Sequence, residues 1–163
     1  MQKEDLFENY INSYVDFPKK GILFRDISPI LQEPKIFKNL IRKMSSADFF
    51  KICDCIIAVD ARGFIFGSAI ALNIEKPLIM ARKPGKLPGE LSEKSYNLEY
   101  GKNSLSIQKN LLSKYKNFAI VDDLLATGGT VDCISKILKE ANRNFVGLSV
   151  VVELEFLKGR EKF

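Results

Sequence analysis

The hydrophobic positions of this chain change period along its length. Between residues 3 and 12, Leu6 and Tyr10 recur at helical spacing with Phe7 and Ile11 beside them, which predicts a short amphipathic helix. Residues 13–34 carry Pro18, Gly21, Pro29 and Pro34 and predict an irregular segment. Within it, Gly21-Ile22-Leu23-Phe24-Arg25-Asp26 runs apolar and then turns abruptly charged. Helical spacing returns with Ile36, Phe37, Leu40, Ile41 and Met44, and Pro34 suits the first turn of that helix.

From residue 55 onward, short continuous apolar runs alternate with helical patterns. Residues 55–59 predict a buried strand, 64–72 a helix and 77–81 a second strand, followed by a Gly/Pro/Lys-rich stretch of about 14 residues. Residues 96–100 and 105–108 alternate as a pair of strands around Gly101. Residues 118–121 predict another buried strand, then an Asp-Asp loop, a helix over about 129–141 and a last strand at 146–152. This succession predicts an α/β fold with a mostly parallel central sheet flanked by helices, and 163 residues are enough for one domain. Such sheets bind ligands beyond the carboxyl ends of their strands. Those ends carry Asp60 and Arg62, Arg82 and Lys83, and Asp122 and Asp123.

Composition narrows the classes. No apolar stretch is long enough to cross a bilayer, and the polar, acidic start MQKEDLFENY reads as neither a signal nor a transit peptide, so a cytoplasmic location is expected. The net charge of +5 could serve nucleic acid, though its lysines are scattered, and it also suits a small anionic substrate; the motifs, not the charge, put the anionic metabolite first and nucleic acid behind it. The absence of histidine removes the commonest general base and every Ser-His or Cys-His pair. Proton transfer then falls to Asp, Glu, Lys, Tyr or the substrate. Cys53, Cys55 and Cys133 make no zinc spacing and read as small buried hydrophobes.

The segment Val121-Asp122-Asp123-Leu124-Leu125-Ala126-Thr127-Gly128-Gly129-Thr130 carries the most chemistry. Its small residues expose backbone N–H groups at the start of a helix, where the dipole adds roughly half a positive charge. That is a phosphate cradle. The two carboxylates would repel a phosphate but accept hydrogen bonds from a sugar diol. Together they spell a phosphorylated sugar, and the lack of a following Gly-Lys-Ser/Thr separates the loop from a Walker motif.

This loop resembles the 5-phosphoribosyl 1-pyrophosphate (PRPP) signature of type I phosphoribosyltransferases. With Gly21-Ile-Leu-Phe-Arg-Asp-Ile-Ser-Pro29, Ala61-Arg-Gly-Phe-Ile-Phe-Gly67, Arg82-Lys-Pro-Gly-Lys-Leu-Pro-Gly89, Tyr96-Asn-Leu-Glu-Tyr-Gly101 and the tail Leu157-Lys-Gly-Arg-Glu-Lys162, the order is similar to that of adenine phosphoribosyltransferases. The resemblance implies a type I fold over residues 1–163 with a hood from about 13–30 and the C-terminal end. It also implies transfer of phosphoribosyl from PRPP to N9 of adenine, with Mg2+ held mainly through PRPP and water, in a homodimer.

By the same resemblance, Asp122 and Asp123 meet the ribose hydroxyls, and Ala126, Thr127, Gly128, Gly129 and Thr130 hold the 5′-phosphate. Asp60, Ala61 and Arg62 match the pyrophosphate loop, where the family often has a non-proline cis peptide, and Arg82, Lys83 and Lys86 match basic pyrophosphate ligands. The residues Pro84, Gly85, Pro88 and Gly89 around them suggest a moving lid. Glu99 matches the catalytic base and Tyr100 a cover over the reacting centre. Leu23, Phe24, Arg25 and Leu157 are the adenine contacts. Family members usually continue past the Lys-Gly-Arg-Glu-Lys segment by a further strand, so a chain ending at Phe163 is expected to have a looser sheet edge or hood. A phosphoribosyltransferase for another base and a non-catalytic PRPP-sensing regulator stay as alternatives. The Leu-Glu-Tyr-Gly loop and the hood disfavour the first, and Glu99 with the basic lid disfavours the second.

Overall fold

The computed structural model describes residues 7–98 and 101–163, with backbone alone at 97, 98, 101 and 102. Contacts divide the chain into two compact units, 1–43 and 44–163.

In the first unit, a single 3-10 turn at Glu8–Tyr10 leads into β1 (Asn12–Val15), which pairs antiparallel with β2 (Leu23–Asp26). The helix expected over residues 3–12 is therefore, in its described part, one turn followed by a strand. Ser13, Tyr14 and Val15 gain cross-strand partners in Arg25, Phe24 and Leu23, and that pairing overrides the local spacing. The irregular segment expected over 13–34 is also corrected. Its glycine and first proline punctuate only the hairpin turn, where Phe17–Pro18 is cis and the Asp16 carboxylate accepts the Gly21 N–H at 2.6 Å. Beyond β2, Asp26 accepts the N–H and hydroxyl of Ser28 at 2.9 and 2.6 Å, α1 (Ser28–Gln32) carries Pro29 in its first turn, and α2 (Pro34–Ser45) begins at its proline as expected.

The second unit, after the last residues of α2, holds α3 (Phe49–Ile52) and the fully buried β3 (Cys55–Val59). There follow α4 (Gly63–Asn73), β4 (Leu78–Ala81), the hairpin of β5 (Leu91–Leu98) and β6 (Gly101–Gln108), and α5 (Lys109–Leu112). Then come β7 (Asn117–Leu125), α6 (Gly129–Glu140), β8 (Asn144–Glu153) and 3-10 turns at Glu155–Leu157 and Gly159–Lys162. Four strands form the central sheet in the order β4-β3-β7-β8, every pair parallel. This is the expected α/β architecture.

Alternation along the strands splits the core between two faces. Cys55, Ile57, Val59, Phe118 and Ile120 pack with Val131, Ile134, Ile137 and Leu138 of α6 and with Leu105 and Ile107 of the hairpin. On the other face α4 presses close to β3: a Cβ at Gly67 would stand 2.5 Å from that of Ala58. Each fully buried Ile or Phe here contributes about 1.5–3 kcal/mol. The three cysteines are free and buried, and burial pushes the thiols of Cys55 and Cys133 up to about 12 and about 11. They behave as core residues, not as reactive thiols.

Two boundaries differ from expectation in ways that shape the site. The Asp-Asp pair lies inside β7, not in a loop, because β8 continues alongside it: Asp122 pairs with Val150 and Leu124 with Val152. The Gly/Pro/Lys-rich connection is also shorter, since β5 starts at Leu91 and recruits residues that carry no strong alternation of their own.

Candidate functional site

The carboxyl ends of β3 and β7, the start of β4's outgoing loop and the hairpin enclose a cavity of about 240 Å³. Its walls bring together Asp60, Ala61, Arg62, Lys83, Asp122, Asp123 and Thr130, all expected site residues, from four separate stretches of sequence.

The carboxylates are placed by the sheet. Asp122 is nearly buried, and its Oδ1 accepts the N–H of Asp123 at 2.8 Å. Burial first, and the adjacent Asp123 carboxylate second, push its pKa up from 3.8 to about 8. Asp123 is held by Arg62, whose Nη2 stands 2.8 Å from Oδ2. Arg62 immediately precedes α4, and the approach is tight: a Cβ on Gly63 would lie 2.9 Å from the Asp122 carboxylate. The Asp60–Ala61 peptide is cis, and the Asp60 carboxylate accepts Arg82 Nε at 3.2 Å. Arg82 also donates to the Lys86 carbonyl at 3.4 Å, lies over the Phe64 ring, and exchanges backbone bonds with Ser106 of β6. It therefore braces β4 against the hairpin.

Ala126, Thr127 and Gly128 connect β7 to α6, with Gly129 and Thr130 opening the helix. Gly128 sits at the cap with φ +77°, a conformation that favours glycine, and offers no capping side chain. The first-turn N–H groups are thus presented toward an incoming anion. Close packing also demands glycine, because a Cβ at Gly128 would overlap the Gly159 carbonyl. The tail is fastened there: Leu154 N–H donates to Leu125 O at 2.9 Å, and Arg160 Nε donates to both Glu153 carboxylate oxygens at 2.6 and 2.8 Å. Across the cavity, the Tyr96 and Thr130 hydroxyls are 3.2 Å apart.

The remaining expected residues belong to other elements. Lys86 is exposed and does not line the cavity. Leu157 closes the 3-10 turn after β8. Leu23, Phe24 and Arg25 belong to β2 of the first unit; there Phe24 packs edge-on against Phe17 at 5.1 Å and Arg25 donates to the Ser13 hydroxyl. Glu99 and Tyr100 lie outside the described residues. Sequence reasoning missed Tyr96, Asn103, Ser104 and Leu105 as wall residues, and Gly159 as the partner of the helix cap. Tyr96 opens the Tyr-Asn-Leu-Glu-Tyr-Gly motif and was within reach. The others depend on hairpin register and tail docking, which no local pattern reports.

As chemistry, the cavity joins two carboxylates that accept hydroxyls with a guanidinium, an ammonium and a helix N-terminus that hold anions. Comparison with known proteins agrees with this character. Residues 26–161 match the phosphoribosyl transferase domain. The adenine phosphoribosyltransferase of Prochlorococcus marinus (strain MIT 9515) is 64% identical over 152 residues, covering 93% of this chain and 89% of that protein. The crystal structure of adenine phosphoribosyltransferase from Thermoanaerobacter pseudethanolicus superposes with a TM-score of 0.90 at 41% identity, covering 96% of this chain and 91% of that one. The Saccharomyces cerevisiae enzyme, crystallised with D-2,5-dideoxy-2,5-imino-altritol 1,6-bisphosphate and adenine, gives 0.84 at 36% identity over 96% and 92%. Sequence and fold together place the chain in the phosphoribosyltransferase family and, within it, among the adenine phosphoribosyltransferases.

Proposed function

We propose that this chain transfers the phosphoribosyl group of PRPP to N9 of adenine, releasing AMP and pyrophosphate in purine salvage. The convergence of Asp122, Asp123, Arg62 and the α6 N-terminus on one cavity supports this reading most directly. Asp122 and Asp123 accept the ribose hydroxyls, and Ala126 to Thr130 donate to the 5′-phosphate. The pyrophosphate lies toward Asp60, Ala61 and Arg62, with Lys83, Arg82 and Lys86 as the basic side. In the reaction N9 attacks C1′, the bond from C1′ to the pyrophosphate oxygen breaks, and pyrophosphate leaves with that electron pair. The N9 proton passes to the Glu99 carboxylate, Tyr100 covers the centre, and Leu23, Phe24, Arg25 and Leu157 contact adenine. Cations around the leaving group stabilise its developing charge.

Magnesium fits as a substrate-borne ion. Its oxygen ligands would come mainly from PRPP and water. Bound there, it would neutralise charge on the departing pyrophosphate. No helix of the described chain is long and apolar enough to cross a membrane. A homodimer suits the apolar side chains that α4 leaves outward, Ile65 and Leu72, the latter 83% exposed.

Incubation of the protein with PRPP, magnesium and radiolabelled adenine, hypoxanthine or guanine tests the proposal. Labelled AMP from adenine, and much less product from the 6-oxopurines, is the expected result. Product from hypoxanthine or guanine alone reassigns the base; no product from any base leaves a PRPP-binding regulator.

A further inference from the structure

The hairpin is fastened to the phosphate-binding helix along its first strand. Lys94 Nζ pairs with Glu140 of α6 at 2.5 Å, and the Lys94 carbonyl accepts the Cys133 thiol at 3.3 Å. The Tyr96 hydroxyl then reaches Thr130 Oγ1 at 3.2 Å in the first turn of the helix. Both residues are half-buried and both line the cavity with Asp122 and Asp123. Register places Tyr96 opposite Asn103, three residues before Glu99.

The two hydroxyls can share one hydrogen in either direction, but an anion decides between them. A phosphate oxygen can only accept, so Thr130 must spend its own hydrogen on the phosphate and then has only lone pairs left for Tyr96. The phenol must therefore donate to Thr130. The resulting chain, Tyr96 O–H to Thr130 O–H to phosphate oxygen, points one way and polarises each bond in turn. Without the phenol, the threonine hydroxyl is free to rotate and turn its hydrogen from the ligand.

We propose that Tyr96 is a positioning residue for the 5′-phosphate, orienting the Thr130 hydroxyl as a donor from the first strand of the hairpin. This rests on the proposed function, in which Thr130 belongs to the 5′-phosphate site.

The test measures binding by calorimetry in three ligands: PRPP, ribose 5-phosphate and inorganic pyrophosphate. Tyr96→Phe keeps the ring and removes the hydroxyl. It is expected to weaken PRPP and ribose 5-phosphate by the same factor, about 3- to 10-fold, the effect of one hydrogen bond. Pyrophosphate, which lacks the 5′-phosphate, is expected to bind unchanged. Thr130→Val should lose at least as much for the two phosphoribosyl ligands, and adding Tyr96→Phe to it should cost nothing further. Thr130→Ser, which keeps the hydroxyl, should retain the sensitivity to Tyr96→Phe. Unchanged ribose 5-phosphate binding in Tyr96→Phe, an equal loss for pyrophosphate, or full additivity with Thr130→Val each overturns the positioning role. Failure of the unmodified protein to bind ribose 5-phosphate or PRPP at all overturns instead the function on which it rests.

Discussion

Asp122 is disfavoured as an anion twice over, by burial and by the carboxylate that follows it in the strand, and its pKa rises from 3.8 to about 8. The sign of the consequence follows from linkage. Between those two values the folded chain holds a proton that the unfolded chain has released, so stability is greatest at low pH and falls as pH climbs toward the folded value. The maximal slope for one such group is about 1.4 kcal/mol per pH unit. Asp122→Asn removes the titration while leaving an amide oxygen able to accept the Asp123 N–H now bonded at 2.8 Å. The difference in unfolding free energy between variant and parent should therefore grow with pH, by about 1 kcal/mol per unit between about pH 5 and pH 7, allowing for relaxation near Arg62. Urea unfolding of both proteins at several pH values in that window measures it. Parallel pH profiles for the two proteins would refute the reasoning, because they would mean that Asp122 titrates alike in the folded and unfolded chains. The same variant should bind PRPP more weakly, a stabilised protein with a poorer site.

Gly128→Ala forces a left-handed alanine, costing about 1–2 kcal/mol, and drives its Cβ into the Gly159 carbonyl. A total loss of about 2–4 kcal/mol in unfolding free energy, together with weaker PRPP binding, is expected from denaturation and calorimetry. Glu99→Ala should lower turnover by about 100-fold or more while PRPP affinity is retained; unchanged turnover in a steady-state assay removes Glu99 from the proton-transfer step. Chelation of magnesium should abolish AMP formation without altering the urea midpoint, since in the proposed function the ion is carried by PRPP and water; a shifted midpoint would point to a structural metal.

The long elements were legible because their hydrophobic periods agree with their final environment. The run at β3 is buried on both faces and reads as continuous; α6 and α2 place their apolar residues at helical spacing. The N-terminal hairpin was not legible. β1 is exposed throughout and β2 only half-buried, so burial imposes no alternation, and Phe24 and Arg25 acquire extended geometry only by pairing with Tyr14 and Ser13. The extension of β7 through Asp122 and Asp123 was hidden for a related reason: the pair is polar, yet β8 supplies the ladder that keeps it extended.

The sequence by itself determined which chemical groups the protein possesses: a carboxylate pair, an anion-binding helix start and basic residues at strand ends, with no histidine to compete as base. These follow from residue type and short spacing, so they can be read before the fold is known. Tertiary structure decided which groups meet. It set Arg62 against Asp123, paired Arg82 with Asp60, docked Gly159 on the cap of α6 and carried Tyr96 to Thr130, 34 residues away along the chain. Those meetings depend on strand order, register and close packing across the whole second unit, and no local pattern encodes a distance between segments so far apart.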